Sequence, residues 1–136
     1  TAALASGKWC KPALVLTKTK LGEEENHSDC RSISLSPQTI SLVHDGMVGA
    51  CSPGGTAFPM FDFVPQVACK TGTAEFGPMD EKGHRRTHAW LTGYLPADNP
   101  EIAVTVVLED GGEGSKDAGP VFKQVIEGWK TFYFVE

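Results

Sequence analysis

With 136 residues and 40% hydrophobic side chains, the chain has the size of one domain around one core and is too short for two. Seventeen acidic against twelve basic residues leave a net charge of -5, so the positive footprint of a nucleic-acid binder is missing and nucleic acid is not an expected partner. No run approaches the 18 apolar residues of a membrane span.

The chain opens with TAALAS, strong helix formers, followed by Gly7 where a helix would stop. It lacks an initiating Met and a charged leader with an apolar core. The expectation is therefore a fragment that begins inside an element, with any anchor or signal outside these residues. Ala13 to Thr17 reads as a short extended segment closed off by Pro12, and residues 18–32, polar and charged, read as a surface loop. Ser36 followed by Pro37 predicts a helix start: a hydroxyl to cap it and a proline whose missing N–H does no harm there. Ile40, Val43, Met47, Ala50 and Cys51 then form one helical stripe, and the helix is expected to end at SPGG, residues 52–55.

From Val64 the period changes. Residues 64–75 carry β-prone Val64, Val67, Cys69, Thr71 and Thr73, and 77–87 is a polar turn region. HAWLTGYL, 88–95, predicts a second strand and ADNP, 97–100, a turn. Residues 102–108 predict a third strand, apolar on both faces and therefore covered on both. DGGEGSKD, 110–117, reads as a flexible connector. Ala118, Val121, Phe122, Val125, Ile126 and Trp129 then make the stripe of a closing amphipathic helix. The predicted class is α+β, with three antiparallel strands packed by helices.

Cys10, Cys30, Cys51 and Cys69 show no C-x-x-C pair, and no Cys/His cluster has zinc-ligand spacing. Four free, mostly buried thiols are expected, with disulfides left open because spacing alone cannot pair them. His84 and His88 stand four apart in a stretch whose composition says loop, so no metal site is expected there, and no cofactor is implied.

The chemistry concentrates in ACKTGTAEF, 68–76. Lys70 places a compact ammonium at a strand end, Thr71 and Thr73 point the same way by the period of two, and Gly72 lies between them. A glycine in a strand interior usually marks close approach by another backbone or a ligand. On an edge strand an extended peptide could pair with this segment, and the N–H of Thr73 could face a substrate carbonyl. A bare K-[ST]-G tripeptide is nevertheless most often a polar strand end beside a turn.

The surroundings add weight. VACKTGTAEF, then HAWLTGYLP, then NPEIAVTVVLEDGGEG and a closing helix resemble the C-terminal third of the transpeptidase domain of class B penicillin-binding proteins, most of all the elongation-type branch, penicillin-binding protein 2. TAALASGKW with KPALV, and SPQTISLVHDGMVGACSPGGTA, resemble what precedes that region, so the resemblance covers nearly the whole chain. It implies a partial domain over 1–136 of the serine β-lactamase and penicillin-binding transpeptidase fold. That family uses S-x-x-K, S-x-N or S-D-N, and K-[ST]-G. No serine here begins S-x-x-K or S-x-N, so both motifs are expected N-terminal to residue 1. Cys69 stands where the family often has glycine, which leaves the strand packing at that point open.

Carried over by resemblance, Lys70 acts electrostatically beside the absent serine and lysine. Thr71 and Thr73 bind the C-terminal carboxylate of the substrate or the equivalent group of a β-lactam. The N–H of Thr73 gives half of the oxyanion hole, and Gly72 keeps the strand open to the ligand. Trp90, Thr92 and Glu75 read as structural, and His88 as a polar residue at the start of its strand rather than part of the site rim. The implied partners are D-Ala-D-Ala stem peptides of peptidoglycan, β-lactams and proteins of the cell-elongation machinery. The implied place is the extracytoplasmic face of the bacterial inner membrane, anchored by a segment outside this chain. Two rival readings keep the fold, a non-catalytic β-lactam sensor or binding module and a serine β-lactamase, and a fourth is a small α/β domain with a chance KTG.

Overall fold

The structure is a computed structural model that describes residues 1–12, 17–18, 24–25 and 29–133. Helix α1, Ala2–Ser6, stops as the sequence suggests, at Gly7 with φ 68, a left-handed backbone that glycine adopts without a Cβ clash. Strand β1, Lys8–Cys10, follows and pairs antiparallel with β4, Cys30–Ser32; Cys10 lies opposite Cys30 and is bonded to it. Between them β2, Thr17–Lys18, pairs with β3, Glu24–Glu25. Of the extended segment expected at 13–17, residues 13–16 lie outside the described residues. The expected loop at 18–32 is corrected in part, because it holds β3, β4 and the end of β2. Every residue of β1 and β4 is exposed, so they carry no in-out alternation, and what joins them is the cross-link, the ladder and the Arg31 guanidinium 5.3 Å from the centre of the Trp9 ring.

Helix α2, Pro37–Ala50, begins as expected: Ser36 Oγ accepts the N–H of Thr39 at 3.1 Å and Pro37 occupies the first turn. Its stripe is buried only at the C-terminal end, at Met47 and Cys51, while Leu42 and Val43 are exposed. A turn and a 3-10 segment, Phe58–Met60, lead to the sheet.

The sheet has the order β5-β6-β7, all antiparallel, from Ala68–Phe76, Arg86–Leu95 and Ile102–Leu108. Its register sets Lys70 against Thr92, Gly72 against Trp90 and, on the next pair, Thr92 against Thr105. Because side chains alternate, one face carries Ala68, Lys70, Thr92 and Tyr94. There Met47, Ala68, Tyr94 and Ala97 cluster with Leu4 and Ala5 of α1. The other face carries Cys69, Thr71, Leu91 and Val106 and meets α3, Gly119–Tyr133. Helices thus cover both faces, and the α+β class and three-stranded antiparallel sheet agree with the sequence reading.

The main core lies on the α3 side: Met60, Val67, Leu91, Leu95, Phe122 and Ile126 are all fully buried. Each large side chain there contributes roughly 1.5–3 kcal/mol of burial. Phe122 reaches the sheet because residue 93 has no side chain. A methyl group at Gly93 would lie 2.7 Å from the Ala68 carbonyl oxygen and 3.1 Å from the Phe122 ring. The stripe of α3 is narrower than predicted, since Val121 and Val125 are exposed.

Two further expectations are corrected. Within the described sheet β7 pairs with β6 alone and exposes Ala103, Thr105 and Val107, so it is a margin and not a strand covered on both sides. Residues 110–117 are not a loose connector. A π-helical turn, Gly114–Ala118, ends the segment. The Glu113 N–H donates to Asp117 at 2.7 Å, Thr87 Oγ donates to the Gly112 carbonyl at 2.8 Å, and the Gly112 N–H returns a bond to the Thr87 carbonyl. The polar composition that reads as flexible supplies these bonds.

Candidate active site

The K-T-G-T segment lies mid-strand in β5, whose second edge pairs with no strand among the described residues. Alternation divides its side chains. Lys70 is on the α1–α2 face, and Thr71 and Thr73 are on the α3 face. Charge and hydroxyls therefore share only the margin of the strand.

On its face Lys70 lines a cavity of about 430 Å³ with Thr1, Leu4, Val43, Gly46, Met47 and Thr92. Its ammonium turns back on the strand and donates to the Thr71 carbonyl at 2.6 Å. Beside it runs a row of hydroxyls, with Thr92 Oγ at 2.5 Å from Thr1 Oγ and 2.7 Å from Thr105 Oγ. Thr92 thus ties β6 to β7 and to the chain start, the structural part expected of it. Trp90 is half-exposed on the same face, beside Gly72: a methyl group at Gly72 would stand 3.2 Å from the Trp90 Cβ. Behind Gly72, Gly114 packs so closely on the Gly72 and Trp90 backbones that a side chain there would overlap them.

On the opposite face the hydroxyls are not free-standing. Thr71 Oγ donates to Thr56 Oγ at 2.9 Å, and Thr73 Oγ accepts the Gly114 N–H at 3.4 Å. Thr56 belongs to the turn after α2, which the buried Cys51–Cys69 disulfide ties to β5 one residue before Lys70. The expectation of four free thiols is thereby overturned. Cys10–Cys30 and Cys51–Cys69 are both bonded, with Cα atoms 4.0 Å and 5.8 Å apart. Pairing is a matter of three-dimensional distance, and nothing in spacings near 20 residues shows it. Thr56 and Gly114 are likewise beyond what the sequence shows. Neither belongs to a motif, and each reaches the segment from a distant part of the chain.

At the far end of β5–β6, His88 stacks on Phe76 with ring centres 4.0 Å apart, and its Nδ1 accepts the Asp110 N–H at 3.1 Å. Arg86 pairs with Asp110 through a bidentate contact and lies over the Phe76 ring. His88 is therefore held in a strand-end cluster, in line with its reading as a polar residue at the start of the strand. The hydrogen bond from Arg86 is the main cause that holds the Asp110 carboxyl below its ordinary pKa. A carboxyl depressed in the folded state adds stability that is present above its unfolded value and is lost as pH falls through the folded one. Arg86→Gln should accordingly be less stable than the parent at pH 7, and the gap should close as pH drops well below about 4. Thermal unfolding of the two proteins across that range measures it. A gap that persists at low pH would show that Arg86 acts by packing on Phe76.

Comparison with known proteins identifies the family. Residues 1–127 match the family described as penicillin binding protein transpeptidase domain. The peptidoglycan D,D-transpeptidase MrdA of Escherichia coli is 34% identical over 97 residues, 63% of this chain and 15% of its own length. PbpA of Mycobacterium tuberculosis, also named a peptidoglycan D,D-transpeptidase, is 32% identical over 123 residues, 85% of this chain and 23% of its own length. Among solved structures, PBP2 of Pseudomonas aeruginosa superposes with a TM-score of 0.76 at 34% identity, covering 95% of this chain and 28% of that one. The imipenem acyl-enzyme of M. tuberculosis penicillin-binding protein A gives 0.72 at 30%, covering 94% and 28%. PBP2 of Helicobacter pylori, in its complex with MreC, gives 0.72 at 28%, covering 98% and 24%. The chain spans less than a quarter of the length of these two curated relatives. With its KTGT strand in register beside HAWLTGYL, and with this match over nearly its full length, the chain belongs to the penicillin-binding protein transpeptidase domain family and is similar to the PBP2 branch.

Proposed function

We propose that this chain is the C-terminal part of a peptidoglycan D,D-transpeptidase, and that residues 1–136 form the KTG wall of its cleft. The observation that carries the reading is the placement of Lys70. Its side chain lines a cavity between the sheet and the helices, on a strand whose other edge carries no partner strand among the described residues. In the whole enzyme a serine from S-x-x-K would attack the penultimate D-Ala carbonyl of a stem peptide. The bond to the terminal D-alanine would break, that D-alanine would leave with its amine protonated, and an acyl-enzyme would remain. An amine of a neighbouring strand would then take the acyl group and free the serine. Lys70 would supply fixed positive charge beside that serine. Thr71 and Thr73 would hold the substrate carboxylate, the Thr73 N–H would face the oxyanion, and Gly72 would keep the strand approachable. β-Lactams would acylate the same serine, a reading supported by the imipenem acyl-enzyme of M. tuberculosis penicillin-binding protein A. Proteins of the elongation machinery are the proposed partners, a reading supported by the H. pylori PBP2 complex with MreC.

The extracytoplasmic side of the inner membrane, with an anchor outside this chain, is the proposed location. Two disulfides support it, because such bonds persist in oxidising compartments and are rare in a reducing cytosol.

Fluorescent penicillin tests the assignment. The 136-residue chain, which holds no S-x-x-K, should remain unlabelled, whereas a chain extended upstream through that motif should carry one covalent label. A labelled short chain would overturn the division of the site. An extended chain with S-x-x-K and S-x-N intact that stays unlabelled would favour the non-catalytic binding module.

A further inference from the structure

The turn from α2 to the 3-10 segment passes beside β5, and three restraints fix its course. Cys51 is bonded to Cys69, the N–H of buried Ala57 donates to the Ala50 carbonyl at 2.9 Å, and Gly55 lies so near the Gly49 and Ala50 carbonyls that any side chain there would overlap them. Thr56, between Gly55 and Ala57, is exposed, and its oxygen accepts the hydroxyl hydrogen of Thr71 at 2.9 Å. A threonine hydroxyl has one hydrogen to donate and two lone pairs. Thr71 has committed its hydrogen to Thr56, while Thr56 only accepts in that bond and keeps its own. Thr73 likewise accepts, from the Gly114 N–H, and keeps its hydrogen. A hydroxyl that donates while it accepts is polarised into a stronger donor than one acting alone.

We infer that Thr56 is a substrate-contacting, specificity-determining residue of this site: its hydroxyl donates to the terminal carboxylate of the substrate, with Thr71 bonded behind it. The carboxylate subsite is then a row of hydroxyls from two separate segments, held together by the Cys51–Cys69 bond, in which Thr73 and Thr56 donate to the anion and Thr71 holds it through Thr56 and not by a hydrogen bond of its own. This deepens the transpeptidase reading and rests on it.

The test uses the whole transpeptidase that carries this chain and two acylating agents, benzylpenicillin and its methyl ester, which differ in whether they present the carboxylate. Thr56→Val should slow acylation by benzylpenicillin about 10- to 100-fold, the range of a lost hydrogen bond to a charged group. Its reaction with the ester should stay unchanged, and Thr56→Ser should restore the parent rate. Equal losses with both agents, or no loss with either, would overturn the inference. Unfolding temperatures of both variants show whether any loss comes from misfolding. Lys70→Ala in the same assay separates the two levels. If it leaves acylation intact, the reading of the site fails. If it blocks acylation while Thr56→Val does not, only the assignment of Thr56 fails.

Discussion

Replacing Lys70 with alanine in the whole transpeptidase should slow acylation by benzylpenicillin about 10²- to 10³-fold, the size of effect seen when one preorganised electrostatic group is removed from an acyl-transfer site. Its unfolding temperature should hardly move. Lys70 is exposed, and the one described hydrogen bond of its side chain runs to the carbonyl of the next residue on its own strand; surface changes of that kind usually stay within about 0.5 kcal/mol. The split between activity and stability carries the argument, because a merely structural lysine would move both or neither. Lys70→Arg sharpens the test. A guanidinium keeps the charge but is broad and planar where the ammonium is compact, and the cavity beside Lys70 is lined by Val43, Met47 and Thr92. Partial rescue is expected. Acylation by Lys70→Ala at the parent rate would remove the lysine from the chemistry.

How much of this could be read in the sequence follows from how local each signal is. The KTGT strand, its partner HAWLTGYL and the Ser36 cap of α2 are each written in a few contiguous residues, and the structure has all three; only the bounds are corrected, since β5 begins at Ala68 and not near Val64, holds Lys70 inside the strand and not at its end, and β6 begins at Arg86, within the expected turn. The covering of β7 is not legible in the sequence because alternation reports side-chain character and not what packs on it. Val107 is apolar and still faces outward. The order of residues 110–117 is hidden for a similar reason, because glycine and charge describe both a loose loop and one pinned to β6 by Thr87 and capped on Asp117. Thr56 and the cysteine pairs were out of reach for a different reason. Their meaning lies in contacts 15 to 20 residues away along the chain, and such contacts leave no trace in periodicity.

The two cross-links should differ sharply in what their loss does. By loop closure alone they are alike: sequence separations of 18 and 20 each correspond to about 3 kcal/mol. Their surroundings are not alike. Cys10 and Cys30 join two exposed three-residue strands, whereas Cys51 and Cys69 are fully buried among Met60, Val67 and Phe122. Cys51→Ala with Cys69→Ala therefore removes core atoms as well as the closure, and a loss of about 3–5 kcal/mol is expected, within the range for native disulfides. Cys10→Ala with Cys30→Ala frees a surface ladder that can open without the core, so the global transition should move much less. Denaturant unfolding of the two double variants measures the difference, and alkylation under a graded reductant should find Cys10 and Cys30 released first. Because Cys69 immediately precedes Lys70, the buried pair should also cost acylation rate in the whole enzyme, even at temperatures where it remains folded. Equal destabilisation by the two pairs would mean that the burial of Cys51 and Cys69 adds nothing to loop closure, and a buried-pair variant with the parent's acylation rate would mean that β5 keeps its position without the cross-link.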